Sequence, residues 1–267
     1  MESPRLSAAL AALGSHGREA AVAPGHVPSR SLPVCGALQP LLGSGGLRGG
    51  VVVACEGPAA VSLAMATASA ASMAGSWTAV IGFPDLGLAA AAEAGMALER
   101  LVRIGPAEPV DAAAVPWPEV LAAAVDGFEV LIVGPLLGRL PSAVVRRVLA
   151  RAATRHVVVI AVDSPAFGAD LVLRTGEVAW HGIDAGHGVA AGRRAVVCAS
   201  GRRMPRERRA SLMLPSSTGC AEPAAPTSAA PTSAVPTSAV PTSAVQASAV
   251  PVSATALHDG GAWRDTG

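Results

Sequence analysis

Short apolar segments alternate with alanine-rich segments from residue 50 to about residue 162, and this alternation limits the possible folds most. The apolar segments show no polar alternation: VVVAC, TAVIGF, LVRIG, EVLIVG and HVVVIAV. The segments between them predict helices at 58–73, 86–94, 117–125 and 141–154. Strands that are apolar on both faces are typical of parallel sheets covered on both sides, joined by right-handed crossovers. We therefore expect a doubly wound α/β core.

A glycine-rich turn, a β-branched strand and a second glycine turn follow one another in residues 41–64. This order is typical of a phosphate-binding loop, G-x-x-x-x-G-K-[ST], whose backbone N–H groups, lysine and hydroxyl hold phosphates and Mg²⁺. Counted from Gly57, the second glycine is Ser62, the lysine is Leu63 and the hydroxyl residue is Ala64. All 20 basic residues are Arg, so no other register supplies the lysine. The vestigial phosphate loop comprises Gly57, Pro58, Ala59, Ala60, Val61 and Ser62.

This stretch resembles the RecA-like recombinases, whose core opens with L-G-x-G-G-L-x-x-G, a strand and G-P-E-S-S-G-K-T. Eight positions match without a gap: Leu42, Gly43, Gly45, Gly46, Leu47, Gly50, Gly57 and Pro58. The missing lysine, short core and Arg-only composition look most like the diverged ImuA-type accessory proteins of bacterial mutagenesis. The resemblance implies a RecA-like, mainly parallel sheet flanked by helices. Strand-like segments at 169–174, 177–183 and 193–199, joined by glycine-rich turns, would add antiparallel edge strands.

The carboxylates that such an ATPase needs are also missing from their expected places. The strand that should end in a Mg²⁺-binding Asp ends in Gly134, and Asp85 lies about two positions late for the catalytic Glu. Losing each element lowers the rate by orders of magnitude, so we expect no enzyme activity. The backbone of residues 57–62 remains the candidate for weak nucleotide binding, but Pro58 lacks an N–H and Val61 adds bulk. ATP binding, other cofactors and a metal site are therefore not expected.

Both DNA-binding loops of the recombinases are short here, at residues 134–141 and 164–168. DNA contact would instead fall to an arginine cluster that holds seven Arg against one Glu. Its members are Arg193, Arg194, Arg202, Arg203, Arg206, Arg208 and Arg209. Guanidinium groups pair with phosphates and give non-specific, salt-dependent affinity. The alternative is a solvated edge or a protein-binding surface, and both remain open.

Composition divides the chain into three parts. Residues 1–30 hold a short amphipathic helix with Leu6, Leu10 and Leu13 on one stripe, followed by a linker with several prolines; the helix either docks on a partner or folds back on its own domain. Residues 31–215 form the core. Residues 216–267 carry the repeat Pro-Thr-Ser-Ala-Val, which cannot supply a core and predicts a disordered tail.

Charge and cysteine content indicate a cytoplasmic protein, with nucleoid association as an alternative. The net charge is +1 and the four cysteines show no C-x-x-C spacing, which favours reduced thiols. Residues 57–84 contain no charged side chain, which would suit a membrane span, but small polar residues and a break near Gly75 favour a buried helix and strand.

These features predict a non-catalytic adaptor for translesion synthesis. By resemblance its partners would be an ImuB-type Y-family polymerase homologue, an error-prone replicative-type polymerase, and the recombinase itself. A cell-division inhibitor of the SulA kind, which binds a tubulin-like division protein, is the alternative. An ATP-dependent recombinase paralogue is the third hypothesis, and the absence of lysine counts against it.

Overall fold

The computed structural model describes residues 31–42, 46–83, 85–105, 115–184, 187–202 and 204–225. The predicted docking helix with Leu6, Leu10 and Leu13 lies outside the described residues, and so does the repeat tail from Pro226 onward.

The described residues form a nine-stranded mixed sheet and a separate two-stranded sheet. The strands are β1 (Ser31–Pro33), β2 (Gly46–Arg48), β3 (Val52–Glu56), β4 (Thr78–Ile81), β5 (Leu101–Ile104), β6 (Val130–Val133), β7 (Val158–Val162), β8 (Leu171–Asp184), β9 (His187–Gly201), β10 (Arg208–Met213) and β11 (Glu222–Pro223). The large sheet has the order β11-β10-β9-β8-β3-β7-β6-β4-β5. From β8 to β5 every neighbouring pair is parallel, and from β8 to β11 every pair is antiparallel. The predicted α/β fold with antiparallel edge strands is therefore confirmed.

Four helices follow the strands at the predicted places, with ends that differ by at most two residues. They are α2 (Ala60–Met73), α3 (Leu88–Glu93), α4 (Trp117–Gly127) and α5 (Ser142–Arg155), and the sequence did not predict the short helix that precedes them, α1 (Gln39–Leu42). The uncharged stretch 57–84 divides into α2 and β4, as expected for a buried helix and strand. Among the described residues, no helix has the length and apolarity required to cross a bilayer.

Two hydrophobic cores lie on opposite faces of the sheet, which explains why the strands are apolar throughout. In β6, Val130 and Ile132 pack into one core with α2, while Leu131 and Val133 pack into the other with α4 and α5. Successive side chains of a strand point to opposite faces, so a strand covered on both sides needs apolar residues at every position. Burial of each such side chain contributes about 1.5–3 kcal/mol.

The region after Asp163 differs from the prediction. Segments 169–174 and 177–183 were expected as separate strands, but they form the single strand β8, which pairs with β9 in one long hairpin. The glycine at position 176 falls at a register shift between Thr175 and Val178 rather than in a turn. A β-bulge accommodates an extra residue without ending a strand, which explains why a turn was wrongly predicted at this glycine.

β8 is longer than its parallel neighbour β3 and continues beyond it. The last pair between the two strands is Glu56 with Arg174, so residues 175–184 extend past the carboxyl end of β3. This is the end of the sheet from which the vestigial phosphate loop leaves β3. The hairpin therefore forms a wall beside the loop.

The packed part of the chain continues past the predicted start of the tail at Ser216. Ser216 is buried, and β11 pairs with β10 through Leu212 and Met213.

The glycine-rich segment that precedes β3 forms a strand that the sequence did not indicate. Gly46–Arg48 pairs with Ser31–Pro33 as a small antiparallel sheet.

Candidate functional site

The vestigial phosphate loop joins the end of β3 to the start of α2. Gly57 has a φ of 96°, which a residue with a side chain rarely adopts. A Cβ atom at this position would also lie 2.2 Å from the carbonyl oxygen of Thr175. The first glycine of the motif is thus required both by the turn and by the close approach of β8.

Three backbone N–H groups of the loop, those of Gly57, Ala59 and Ala60, are bonded within the protein. The N–H of Gly57 donates to Asp163 Oδ1 at 3.3 Å, and the N–H of Ala59 donates to Thr175 Oγ1 at 3.1 Å. The Thr175 hydroxyl donates in turn to the carbonyl oxygen of Glu56 at 3.0 Å. The N–H of Ala60 donates to the carbonyl oxygen of Gly57, and Pro58 has no N–H. Two of the loop's N–H groups therefore donate to side chains, one on β8 and one directly after β7.

The side chains at the lysine and hydroxyl positions pack into the protein core. Leu63 and Ala64 are both fully buried beside α2's other apolar residues. Ser62 Oγ accepts a hydrogen bond from Arg193 Nη2 at 2.9 Å. Val61 is 42% exposed and presents an apolar surface to solvent. The positions that hold the lysine and the hydroxyl in the motif thus carry apolar packing groups in this loop.

No carboxylate directly follows β6, where an ATPase of this kind carries its Mg²⁺-binding Asp. Gly134 occupies that place, and a Cβ atom there would lie 2.6 Å from the carbonyl oxygen of Gly82 and 2.8 Å from the ring of Phe83. The close contact requires glycine at this position. Within the described ranges, no three His, Cys, Asp or Glu side chains come together in a way that could hold a metal ion.

Arg193 links the β8–β9 hairpin to the vestigial phosphate loop. Its Nε donates to the carbonyl oxygen of Leu214 at 2.8 Å while its Nη2 bonds to Ser62. The guanidinium also lies over the ring of Trp180, 5.1 Å from its centroid. Burial lowers the pKa of the Arg193 guanidinium. These contacts give the residue a structural role within the chain.

The seven arginines proposed for DNA contact do not form one group. Arg193 and Arg194 lie midway along β9, and Arg194 Nη2 donates to the carbonyl oxygen of Ala225 at 3.2 Å. Arg202, Arg206, Arg208 and Arg209 lie in and after the turn that follows Gly201, beyond the carboxyl end of that strand. About 25 Å of extended strand separates Arg193 from Gly201. Arg203 lies outside the described residues.

Two arginines, Arg174 on β8 and Arg209 on β10, have acidic or sulfur partners. Arg174 Nη2 pairs with Glu56 Oε2 at 2.7 Å, and this hydrogen bond raises the pKa of the exposed guanidinium. Arg209 Nε donates to Cys198 Sγ at 3.3 Å, and this bond raises the pKa of Arg209. Glu207 Oε1 lies 3.8 Å from Arg209 Nη2. Part of the positive charge predicted from composition is therefore offset locally.

The order of strands and the loop between β3 and α2 define a RecA-like fold. A solved structure described as the crystal structure of the RadB recombinase is similar, with a TM-score of 0.52 and 16% sequence identity over 71% of this chain and 97% of that chain. A family model described as the MT3502 N-terminal domain matches residues 40–166. No curated protein matches the sequence. The RecA-like fold is thus confirmed.

The sequence alone did not indicate which side chains accept hydrogen bonds from the backbone of the loop. Neither Asp163, which directly follows a predicted strand, nor Thr175 was singled out in the sequence. A positive φ of 44° at Asp163 places its carboxylate toward Gly57. The available signal was an Asp directly after a buried strand, because Asp tolerates this conformation better than most residues.

Proposed function

We propose that the chain is a non-catalytic adaptor of RecA-like fold that acts in translesion synthesis after DNA damage. The observation that carries this proposal is that the loop's N–H groups donate to Asp163 and Thr175 while Leu63 packs in the core. A nucleotide would meet a loop in which the N–H groups of Gly57 and Ala59 are already bonded, in a chain without lysine. A fold that keeps its sheet and helices without its catalytic groups is most useful as a binding surface.

The partners follow from the resemblance to ImuA-type proteins. They are an ImuB-type Y-family polymerase homologue and an error-prone replicative-type polymerase, together with the recombinase. Non-specific DNA contact is part of the proposal. The described arginines of the turn after β9 are the candidates, because they share one end of the sheet: Arg202, Arg206, Arg208 and Arg209. Such contact would weaken steeply as the salt concentration rises.

Co-purification tests the adaptor role. The full chain, tagged and co-expressed with the polymerase homologues of its own genome, should bring down those polymerase subunits after DNA damage. Recovery of a tubulin-like division protein in their place would support the SulA-like alternative and contradict the proposal.

An ATPase assay tests the absence of catalysis. The purified chain should release no phosphate above a buffer blank, with or without single-stranded DNA. A recombinase measured in parallel provides the positive control. Hydrolysis at a rate comparable with the recombinase would overturn the proposal.

A further inference from the structure

An apolar groove of about 270 Å³ lies directly beside the vestigial phosphate loop. One wall is the first two turns of α2, with Val61 and Met65, and a second wall is the segment 85–94. Leu214 and Pro215 line the third side. Small-molecule sites usually measure about 300–1,000 Å³, so the groove has room for one or two side chains.

Large apolar side chains that line this groove are left in contact with solvent. Val61 is 42% exposed, and Leu86 is half-buried. Met65, by contrast, is buried and lies in the groove wall. Apolar side chains that cluster around a concavity favour a partner that removes them from water.

The groove also carries negative charge. Asp85 and Glu93 both line it and both are exposed. No salt bridge joins either carboxylate to another described residue. The guanidinium of Arg193 lies at the Ser62 end and is held there by Ser62, Leu214 and Trp180. A basic group on a ligand would therefore meet two available carboxylates.

We propose that this groove binds a segment of a partner protein that inserts one bulky apolar side chain and places a Lys or Arg beside Asp85 and Glu93. The apolar walls select the inserted side chain, and charge complementarity selects the neighbouring residue and its orientation. This inference rests on the adaptor function proposed above and assigns the adaptor's docking surface to the groove beside the vestigial phosphate loop.

Photocrosslinking in the full chain tests the groove. A photoreactive phenylalanine analogue replaces Val61, and in a matched control it replaces Met73, which is 68% exposed on the same helix. The two sites are about 18 Å apart along α2. We expect at least fivefold more adduct at position 61, and sequencing of the crosslinked segment should find a bulky apolar residue within about three positions of Lys or Arg.

The role of the two carboxylates is tested by combining Asp85→Asn with Glu93→Gln. This double variant should lower the adduct yield at position 61 several-fold, whereas the control Glu99→Gln should leave the yield unchanged.

Three outcomes would overturn the inference: equal yields at positions 61 and 73, a crosslink to the chain itself or to a second copy, or a yield insensitive to the two carboxylates. Co-purification in the same lysates separates this result from the adaptor proposal. Polymerase subunits recovered without a position-61 adduct would reject the groove alone. An adduct to a basic, apolar segment of another protein, without polymerase recovery, would retain the groove and reject the polymerase partners.

Discussion

The N–H of Gly57 donates to Asp163 Oδ1 at 3.3 Å, so a carboxylate of the protein accepts a hydrogen bond from the first N–H group of the loop. A loop N–H group that faces no ligand needs another acceptor, either water or a group of the protein. Asp163 supplies that acceptor from the end of β7. The loop can thus keep its backbone shape without a nucleotide.

We predict that Asp163→Ala destabilises the protein more than Asp163→Asn does. Ala removes the acceptor and is unfavourable at a φ of 44°, whereas Asn keeps an oxygen and tolerates this region. The difference in unfolding free energy should be about 1 kcal/mol. Urea denaturation measures it, and Asp163→Gly, which tolerates the φ but lacks the acceptor, separates the two effects. Equal stability of the Ala and Asn variants would show that neither effect operates.

Thr175 accepts the second hydrogen bond from the loop, and its replacement should lower the stability of the protein more than replacement of Asp163 does. Thr175 is 2% exposed, and Thr175→Val keeps its shape while removing the acceptor for the N–H of Ala59 and the donor to Glu56. Leaving buried backbone groups unpaired should lower stability by about 1–3 kcal/mol. Thr175→Ser retains the hydroxyl and is the matched control in the same denaturation assay. A Val variant as stable as the Ser variant would mean that water replaces the hydroxyl.

The sequence indicated the parallel half of the sheet well because local composition determines it. Each buried strand needs apolar residues at every position, and α2 begins close to the place that the loop motif marks. The β8–β9 hairpin was less predictable, because the glycine at 176 resembles a turn residue but lies at a bulge. The hydrogen bonds that Asp163 and Thr175 accept from the loop could not be predicted from local sequence, because these residues are 106 and 116 residues away from their N–H partners.

Restoring the motif lysine should damage the protein rather than revive it. Leu63 is fully buried in the core, so Leu63→Lys would bury an unpaired charge and remove apolar packing. We expect a loss of about 3–5 kcal/mol, in the range of large core substitutions. Val61→Lys is the control, because this position is 42% exposed on the same helix end, and it should change stability by less than about 1 kcal/mol. Thermal unfolding of both variants checks the difference; a stable Leu63→Lys variant that binds ATP would contradict it.

Stability should fall with rising pH in the alkaline range because of buried thiols. Burial raises the pKa of Cys55 well above its ordinary value of 9.0, and burial also raises the pKa of Cys35. Above pH 9.0 the unfolded chain loses the Cys55 proton while the folded chain keeps it, so the unfolding free energy decreases by about 1.4 kcal/mol per pH unit. The chain has no Lys and no Tyr to titrate in this window. Urea denaturation from pH 8 to 11 should show a shallower slope for Cys55→Ala than for Cys198→Ala; identical slopes would exclude Cys55 as the cause.

Gly57 and Gly75 provide a matched test of how closely β8 packs on the loop. Their φ values are nearly equal, 96° and 99°, so Ala at either position meets the same unfavourable backbone conformation. A Cβ at Gly75 would meet nothing within 4 Å, whereas at Gly57 it would lie 2.2 Å from the carbonyl oxygen of Thr175. Gly75→Ala should therefore lose about 1–2 kcal/mol from the backbone alone. Gly57→Ala should lose at least about 3 kcal/mol, because strand and loop must also separate. Unfolding midpoints in urea give the comparison, and similar losses in the two variants would mean that β8 does not hold the loop closed.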